Sequence, residues 1–205
     1  MKILENSSNI DSVHLIQSII FTLELDKIDF CVCIHKAKLN WRQINDTIEK
    51  KILNISSGLR YSNYELETIQ GKNICDFVAF NNYQKLISIS SKIIINKEEK
   101  HLLMMNLHTA EEIKIDNIVQ IVKKLTDKRF WIVKTDRFYH IYTNEIADKN
   151  RWLEWNINFL MLDCLVSPRY IGHSLRDGFN LLRLNSTNSI KIKVPVVIYD
   201  SINNV

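Results

Sequence analysis

The sequence predicts an α+β fold in which helices pack on a mixed or antiparallel sheet. In residues 128–144 (KRFWIVKTDRFYHIYTN), two runs rich in aromatic and β-branched residues flank a short polar connection, which is typical of a β-hairpin. Across the second half of the chain, segments follow the order strand, helix, hairpin, helix, strands, which indicates a layered domain with its helices on one face. With only 4 Gly and 2 Pro in 205 residues, a disordered or loop-rich chain is not expected.

The first hundred residues are predicted to form an N-terminal α/β portion that completes or flanks the core. Asp11 or Ser12 is expected to cap a first helix, because apolar residues recur at helical spacing from Val13 onward. The charged run at residues 96–100 is the predicted boundary, so that the core spans residues 101–205. Before it we predict a strand (29–35), a helix (41–53), a polar turn region (56–73) and a strand pair (76–80 and 86–95).

In the core, alternation along the hairpin predicts which side chains share a face. Phe138, His140 and Tyr142 are expected on one face, and Tyr139, Ile141 and Thr143 on the other. The remaining predicted elements are a strand (101–107), a helix capped by Asp116 (117–125), the hairpin strands (129–134 and 138–143), a second helix (152–165) and three closing strands (169–173, 180–184 and 190–199).

Composition limits the compartment and the partners. A formal net charge of +4 permits an anionic partner without requiring one. The four cysteines fit neither a zinc-site spacing nor a secreted disulfide framework, so reduced thiols are expected. No apolar run approaches the roughly 20 residues that span a bilayer, and the N-terminus lacks the pattern of a signal peptide. We therefore expect a cytoplasmic protein without a membrane partner.

Polar residues around the hairpin and near the C-terminus are candidates for an anion site. His140 lies close in sequence to Thr135, Asp136 and Arg137, although a lone strand histidine is more often a packing residue. Arg176 and Arg183 flank a glycine-containing stretch and offer the planar fork that binds phosphate, while residues 176–178 are expected to form a hairpin turn. Further basic residues on strands either form a solvated face or line an anion-binding groove: Lys134, Arg137, Arg169, Lys191 and Lys193.

The segment from about residue 102 to residue 199 resembles the catalytic core of the archaeo-eukaryotic primase (primase-polymerase) superfamily. TDRFYHIY, residues 135–142, is similar to the family's histidine motif, with His140 in the place of the histidine. RYIGHSLRDGFNLLRL, running on to Lys191 or Lys193, is similar to its terminal strand region, with Arg183 as the match to its arginine. The resemblance implies a primase-like (RRM-like) core and contacts from His140 and Arg183 to a nucleotide or nucleic acid.

The chain departs from the family at the acidic positions. Where the family has D-x-D it has Asn106 and His108, and Ser167 stands where a third acid belongs. The family's carboxylates hold two divalent cations, and such hard cations require anionic oxygen ligands. Asp163 lies one turn upstream, but helical periodicity assigns it to the surface. A two-metal polymerase mechanism therefore lacks its ligands.

These observations favour a catalytically impaired primase-polymerase-like protein that binds nucleic acid or nucleotide without a resident cofactor. We expect it to be a subunit of a replication, mobile-element or defence complex. The expected phosphate-binding residues are His140, Arg183, Thr135, Arg137, Arg176, Lys191 and Lys193. An alternative is an active nucleotidyltransferase or primase that uses Mg²⁺ or Mn²⁺ at an atypical site formed by Asn106, His108 and His140, helped by Asp163 or Asp136. Another is a structural subunit whose exposed tryptophans (Trp41, Trp131, Trp152 and Trp155 are candidates) pack on a protein partner.

Overall fold

The structure is a computed structural model that describes residues 10–23, 28–35, 64–70, 74–81, 86–108, 113–136, 138–162, 164–186 and 193–202. Within these ranges the chain forms five helices and eight strands. In chain order they are α1 (Ser12–Thr22), β1 (Ile28–His35), β2 (Tyr64–Gln70), α2 (Ile74–Asn81), β3 (Leu86–Ile95), β4 (Glu98–Leu107), α3 (Ile115–Leu125), β5 (Phe130–Lys134), β6 (Tyr139–Ala147), α4 (Lys149–Leu160), α5 (Pro168–Asp177), β7 (Leu181–Arg183) and β8 (Val196–Asp200). None of the described helices is both long enough and apolar enough to cross a bilayer.

The strands form one antiparallel sheet, which confirms the predicted α+β class. Its order is β2-β1-β3-β4-β6-β5-β8, and β7 pairs with β3 beside this path. The turn at Asn96 and Lys97, both with positive φ, joins β3 to β4 within the sheet. Strands β1 and β2 therefore belong to the same sheet as the C-terminal strands, while the division of the chain at residue 100 stays a prediction.

Helices cover both faces of the sheet. The three C-terminal helices α3, α4 and α5 pack on one face against β-strand residues such as Ile132 and Ile141, which agrees with the predicted placement of the two core helices that the sequence identified. Helices α1 and α2 cover the opposite face, against Trp131 and Tyr142. Neighbouring residues such as Trp131 and Ile132 lie on opposite faces because side chains alternate along a strand with a period of two residues. The Asp11 side chain accepts a hydrogen bond from the backbone N–H of His14 and caps α1, as predicted.

Two predicted strands are helical. Residues 76–80 lie in α2, where Ile74 and Val78 are buried four residues apart, on one helical face. Residues 169–173 lie in α5, which begins at Pro168, and the predicted hairpin turn at 176–178 is the end of this helix. Gly178, with φ 81°, adopts the left-handed conformation that commonly ends helices. Runs of five residues are too short to distinguish a helical from a strand period, so the predicted strands at these two positions are wrong.

Other boundaries differ in smaller ways. Part of the predicted turn region forms β2, which pairs in register with β1. The N-cap of α3 is Lys114, so that Asp116 lies in the first turn and does not cap the helix. The second core helix, α4, begins at Lys149 and ends at Leu160. The predicted helix at 41–53 lies outside the described residues.

The tryptophans proposed as a partner-binding surface are in the core. Trp131 is 2 % exposed, and Trp152 and Trp155 are 0 % exposed, while Trp41 lies outside the described residues. The indole N–H of Trp155 donates to the backbone oxygen of Met104, which satisfies the polar atom of this buried ring. The prediction that these three side chains are exposed is wrong, because Trp152 and Trp155 pack α4 on one face of the sheet and Trp131 packs under α1 and α2 on the other.

Candidate functional site

Strands β4 and β6 bring Asn106 and His140 side by side. Their Cα atoms are partners in the antiparallel ladder, and Val133 of β5 lies opposite His140 on its other side. Directly opposed residues in such a ladder have Cβ atoms about 5 Å apart on the same face. Asn106 is half-buried, whereas His140 is 5 % exposed. The site therefore begins as a polar pair on the face that carries Met104 and Tyr142.

His108 and Phe138 form the next pair along the same two strands. They lie one position beyond Leu107 and Tyr139, the last residues paired between β4 and β6. Their ring centroids are 3.9 Å apart with an interplanar angle of 31°. The backbone N–H of His108 donates to the backbone oxygen of Leu165 at 2.8 Å. An aromatic pair thus borders the polar pair at the end of the strands.

Arg183 reaches the site because the sheet forks between β3 and β4. Strand β3 pairs with β4 only through residues 92–95, while residues 88–90 pair with β7, which sets Arg183 opposite Ser88. Nη1 of Arg183 donates to the backbone oxygens of Asn185 and Lys193 at 2.8 and 2.9 Å. No described carboxylate forms an ion pair with it, so its remaining N–H donors are available to an anion.

A buried polar cluster fixes the start of β7. The backbone N–H of Asn180 donates to the Ser91 hydroxyl, and the Ser91 N–H donates to the Asn180 carbonyl, both at 2.9 Å. The Asn180 side chain accepts from the Trp152 indole N–H and bonds the Asn156 amide. All four side chains are 0 % exposed. Since buried polar groups are costly when unpaired, this cluster ties β7 to β3 and α4 and so positions Arg183.

The site carries a neutral histidine next to a cation. Burial, followed by the nearby Arg183 charge, lowers the pKa of His140 to about 3, so its imidazole is uncharged at neutral pH. Its buried Nδ1 has no hydrogen-bond partner among the described residues. Burial also lowers the pKa of Arg183, while Tyr142 and Asp136 act in the opposite direction.

Tyr142 was predicted on this face of β6 but not as a member of the site. Its ring contacts His140 edge-on with centroids 6.2 Å apart, and its buried hydroxyl has no hydrogen-bond partner among the described residues. Burial, and to a lesser degree Tyr170, raises the pKa of Tyr142, while Arg183 opposes this shift. Two polar atoms without hydrogen-bond partners beside an arginine indicate a position where a polar ligand can supply the missing hydrogen bonds. The only sequence signal for it was the two-residue spacing from His140.

Of the predicted site residues, Asn106, His108, His140 and Arg183 come together, and the others have separate placements. The Thr135 hydroxyl bonds the backbone of Phe138 within the hairpin turn. Ser167 is the N-cap of α5, two residues beyond the Leu165 carbonyl that holds His108. Nε of Arg176 donates to Asp177 at the end of α5. Lys193 is exposed, and its carbonyl accepts from Arg183. Arg137, Asp163 and Lys191 lie outside the described residues.

The side chains at this site suit an anion better than Mg²⁺. Asn106 offers one neutral oxygen, and His108 and His140 offer nitrogens, whereas Mg²⁺ prefers carboxylate and phosphate oxygens. In the described part of the chain, no group of three or more His, Cys, Asp or Glu side chains is placed to hold a metal ion. The donor set therefore does not fit the pair of hard cations that the family resemblance implies.

Comparison with protein families agrees with the fold. The family model AEP-like, described as archaeo-eukaryotic primase 1D-like, matches residues 65–196, which is well over half of the chain. The match begins in β2 and ends at the first residue of β8, so it includes every residue of the site described above. Neither the curated proteins nor the solved structures contain a match to the chain. The chain belongs to the archaeo-eukaryotic primase 1D-like family.

Proposed function

We propose that this primase-like protein binds a nucleotide or nucleic acid through a phosphate held at Arg183 and His140, and that it does not polymerise. The observation that carries the proposal is the environment of Arg183. Its guanidinium is half-buried, is oriented by two backbone carbonyls and has no described carboxylate partner. An arginine held in this way keeps its charge and presents its free N–H groups to an anion.

The neighbours of Arg183 support phosphate as the anion. Neutral His140 and the Tyr142 hydroxyl can each donate a hydrogen bond to a phosphate oxygen without placing a negative charge beside it. Asn106, which pairs with His140 across the ladder, adds an amide donor on the same face. The described part of the chain holds no group of three or more His, Cys, Asp or Glu side chains placed to bind a metal ion, which argues for binding without two-metal nucleotidyl transfer. In this role the protein is a non-catalytic subunit of a replication, mobile-element or defence complex.

The test compares binding of a labelled DNA single strand and of a nucleoside triphosphate at low salt, with and without Mn²⁺. Arg183→Ala removes the central cation, and His140→Ala removes its neutral neighbour. Lys124→Ala is the matched control for lost charge, because Lys124 is exposed on α3, the helix that packs on the opposite face.

We expect metal-independent binding that Arg183→Ala weakens about tenfold or more, because hydrogen bonds to charged groups contribute roughly 1.5–3 kcal/mol. His140→Ala should also weaken binding, and Lys124→Ala should leave it nearly unchanged. Product formation that depends on Mn²⁺ would favour the active nucleotidyltransferase with Asn106 and His108 as ligands. If the wild-type protein binds neither probe, the proposal fails and a structural subunit is the better explanation.

A further inference from the structure

His108 is an exposed aromatic side chain held in place beside the proposed phosphate site. Its backbone is hydrogen-bonded to Leu165, and one side of its ring lies against Phe138. Its imidazole makes no hydrogen bond or ion pair with any described residue, and the residue is exposed while Phe138 is half-buried. The ring is therefore supported from beneath and open to solvent on its outer side.

The aromatic pair, His108 and Phe138, lies two residues along the chain from the polar pair, Asn106 and His140. His108 directly follows β4, two residues beyond Asn106, and Phe138 directly precedes β6, two residues before His140. Continued alternation therefore puts both pairs on the same face of the sheet. At about 3.3 Å per residue, this spacing is about 7 Å along the strands. A ligand that contacts both pairs must join an anionic group to a flat group through a short spacer.

A nucleotide has this arrangement, since one sugar separates its base from its first phosphate. Nucleobases stack on aromatic side chains irrespective of sequence, because every base has a π-face. We propose that His108, supported by Phe138, is the stacking platform for the base of a nucleotide whose phosphate binds at Arg183. This inference rests on the proposed function. It gives His108, which stands where the family resemblance implies the second acid of the D-x-D motif, a base-contacting role in place of metal binding.

The experiment separates the base from the phosphates by using two ligands. Dissociation constants for a nucleoside triphosphate and for inorganic tripolyphosphate are measured without divalent metal, for the wild type, His108→Ala and His108→Phe. Both ligands carry three linked phosphates, and only the nucleotide carries a ring. His108→Phe keeps a flat ring while it removes the imidazole nitrogens, so it distinguishes stacking from polar or charged contacts.

We expect His108→Ala to weaken nucleotide binding about five- to a hundredfold, the range that base stacking on an aromatic side chain supports. Tripolyphosphate binding should change less than about twofold, and His108→Phe should bind the nucleotide nearly as well as the wild type. Equal weakening for both ligands would overturn the inference, because His108 would then contact phosphate. Loss of nucleotide binding in both variants, or in neither, would overturn it too. If the wild-type protein binds neither tripolyphosphate nor the nucleotide, the proposed function itself is overturned.

Discussion

The buried His140 should make the stability of the protein depend on pH in a way that one substitution removes. An unfolded histidine has a pKa of about 6.5, whereas burial lowers the pKa of His140 in the folded protein to about 3. Below pH 6.5 the unfolded chain therefore takes up a proton that the folded protein excludes. The stability of the folded protein that depends on a neutral His140 is fully present above pH 6.5 and is lost as the pH falls toward 3.

The expected size follows from these two values. At pH 5 the unfolded side chain is protonated and the folded one is neutral, and the solution lies 1.5 units below the unfolded pKa of about 6.5. Each unit corresponds to 1.36 kcal/mol, so His140 alone should lower the free energy of unfolding by about 2 kcal/mol between pH 7 and pH 5.

Urea unfolding at pH 7 and pH 5 measures this quantity in the wild type and in His140→Leu. Other titrating groups, including the buried His101, whose pKa burial lowers to about 4, are common to both proteins and cancel in the comparison. The wild type should lose about 2 kcal/mol more than His140→Leu over this range. The variant His108→Ala is the control, since it removes an exposed histidine and should follow the wild type. Equal losses in the wild type and in His140→Leu would refute the neutral, buried state of His140.

Three further substitutions test buried polar groups, one of them in the site. Arg129→Met leaves the buried Asp200 carboxylate without the guanidinium whose Nε lies 3.0 Å from it, and chemical denaturation should show a loss of roughly 3 kcal/mol or more. Asn180→Leu leaves the Trp152 indole N–H unpaired, and it should lower the free energy of unfolding by about 2 kcal/mol, detectable by the same method. Tyr142→Phe removes a buried hydroxyl without a described partner, so thermal unfolding should occur at the same or a higher temperature while nucleotide affinity falls. A lower unfolding temperature would show that the hydroxyl is satisfied within the folded protein.

The hairpin was predictable because its signal is local. Alternation of aromatic and β-branched residues correctly separated His140 and Tyr142 from Ile141, and the cap at Asp11 marked the start of α1. Each of these features depends on residues that are close in the sequence. By contrast, α5 has few apolar residues, and its Pro168 start lies after a loop that the prediction assigned to the preceding helix.

The sequence named candidate residues for the site, but it did not reveal their geometry. Motif similarity selected His140 and Arg183, yet nothing in the sequence shows that β7 pairs with β3 and brings these two side chains together. Arg176 was predicted to bind phosphate as Arg183 does, whereas at the end of helix α5 its Nε donates to the neighbouring Asp177. The Tyr142 hydroxyl is buried without a described hydrogen-bond partner because several elements cover it. No single segment of the sequence determines this arrangement.

The shortness of β7 has a consequence for the order in which the protein assembles. Only three residues of β7 join the sheet, and the bond that anchors it connects positions 89 apart in the chain. Contacts that close long loops form late in folding, and short peripheral strands open more easily than central ones. We expect β7 to detach in local opening events while β4 and β6 stay paired, so its amides should exchange hydrogen faster. A ligand bound at Arg183 would then slow exchange in β7 first, and the protein would complete its own binding site only at the last step of folding.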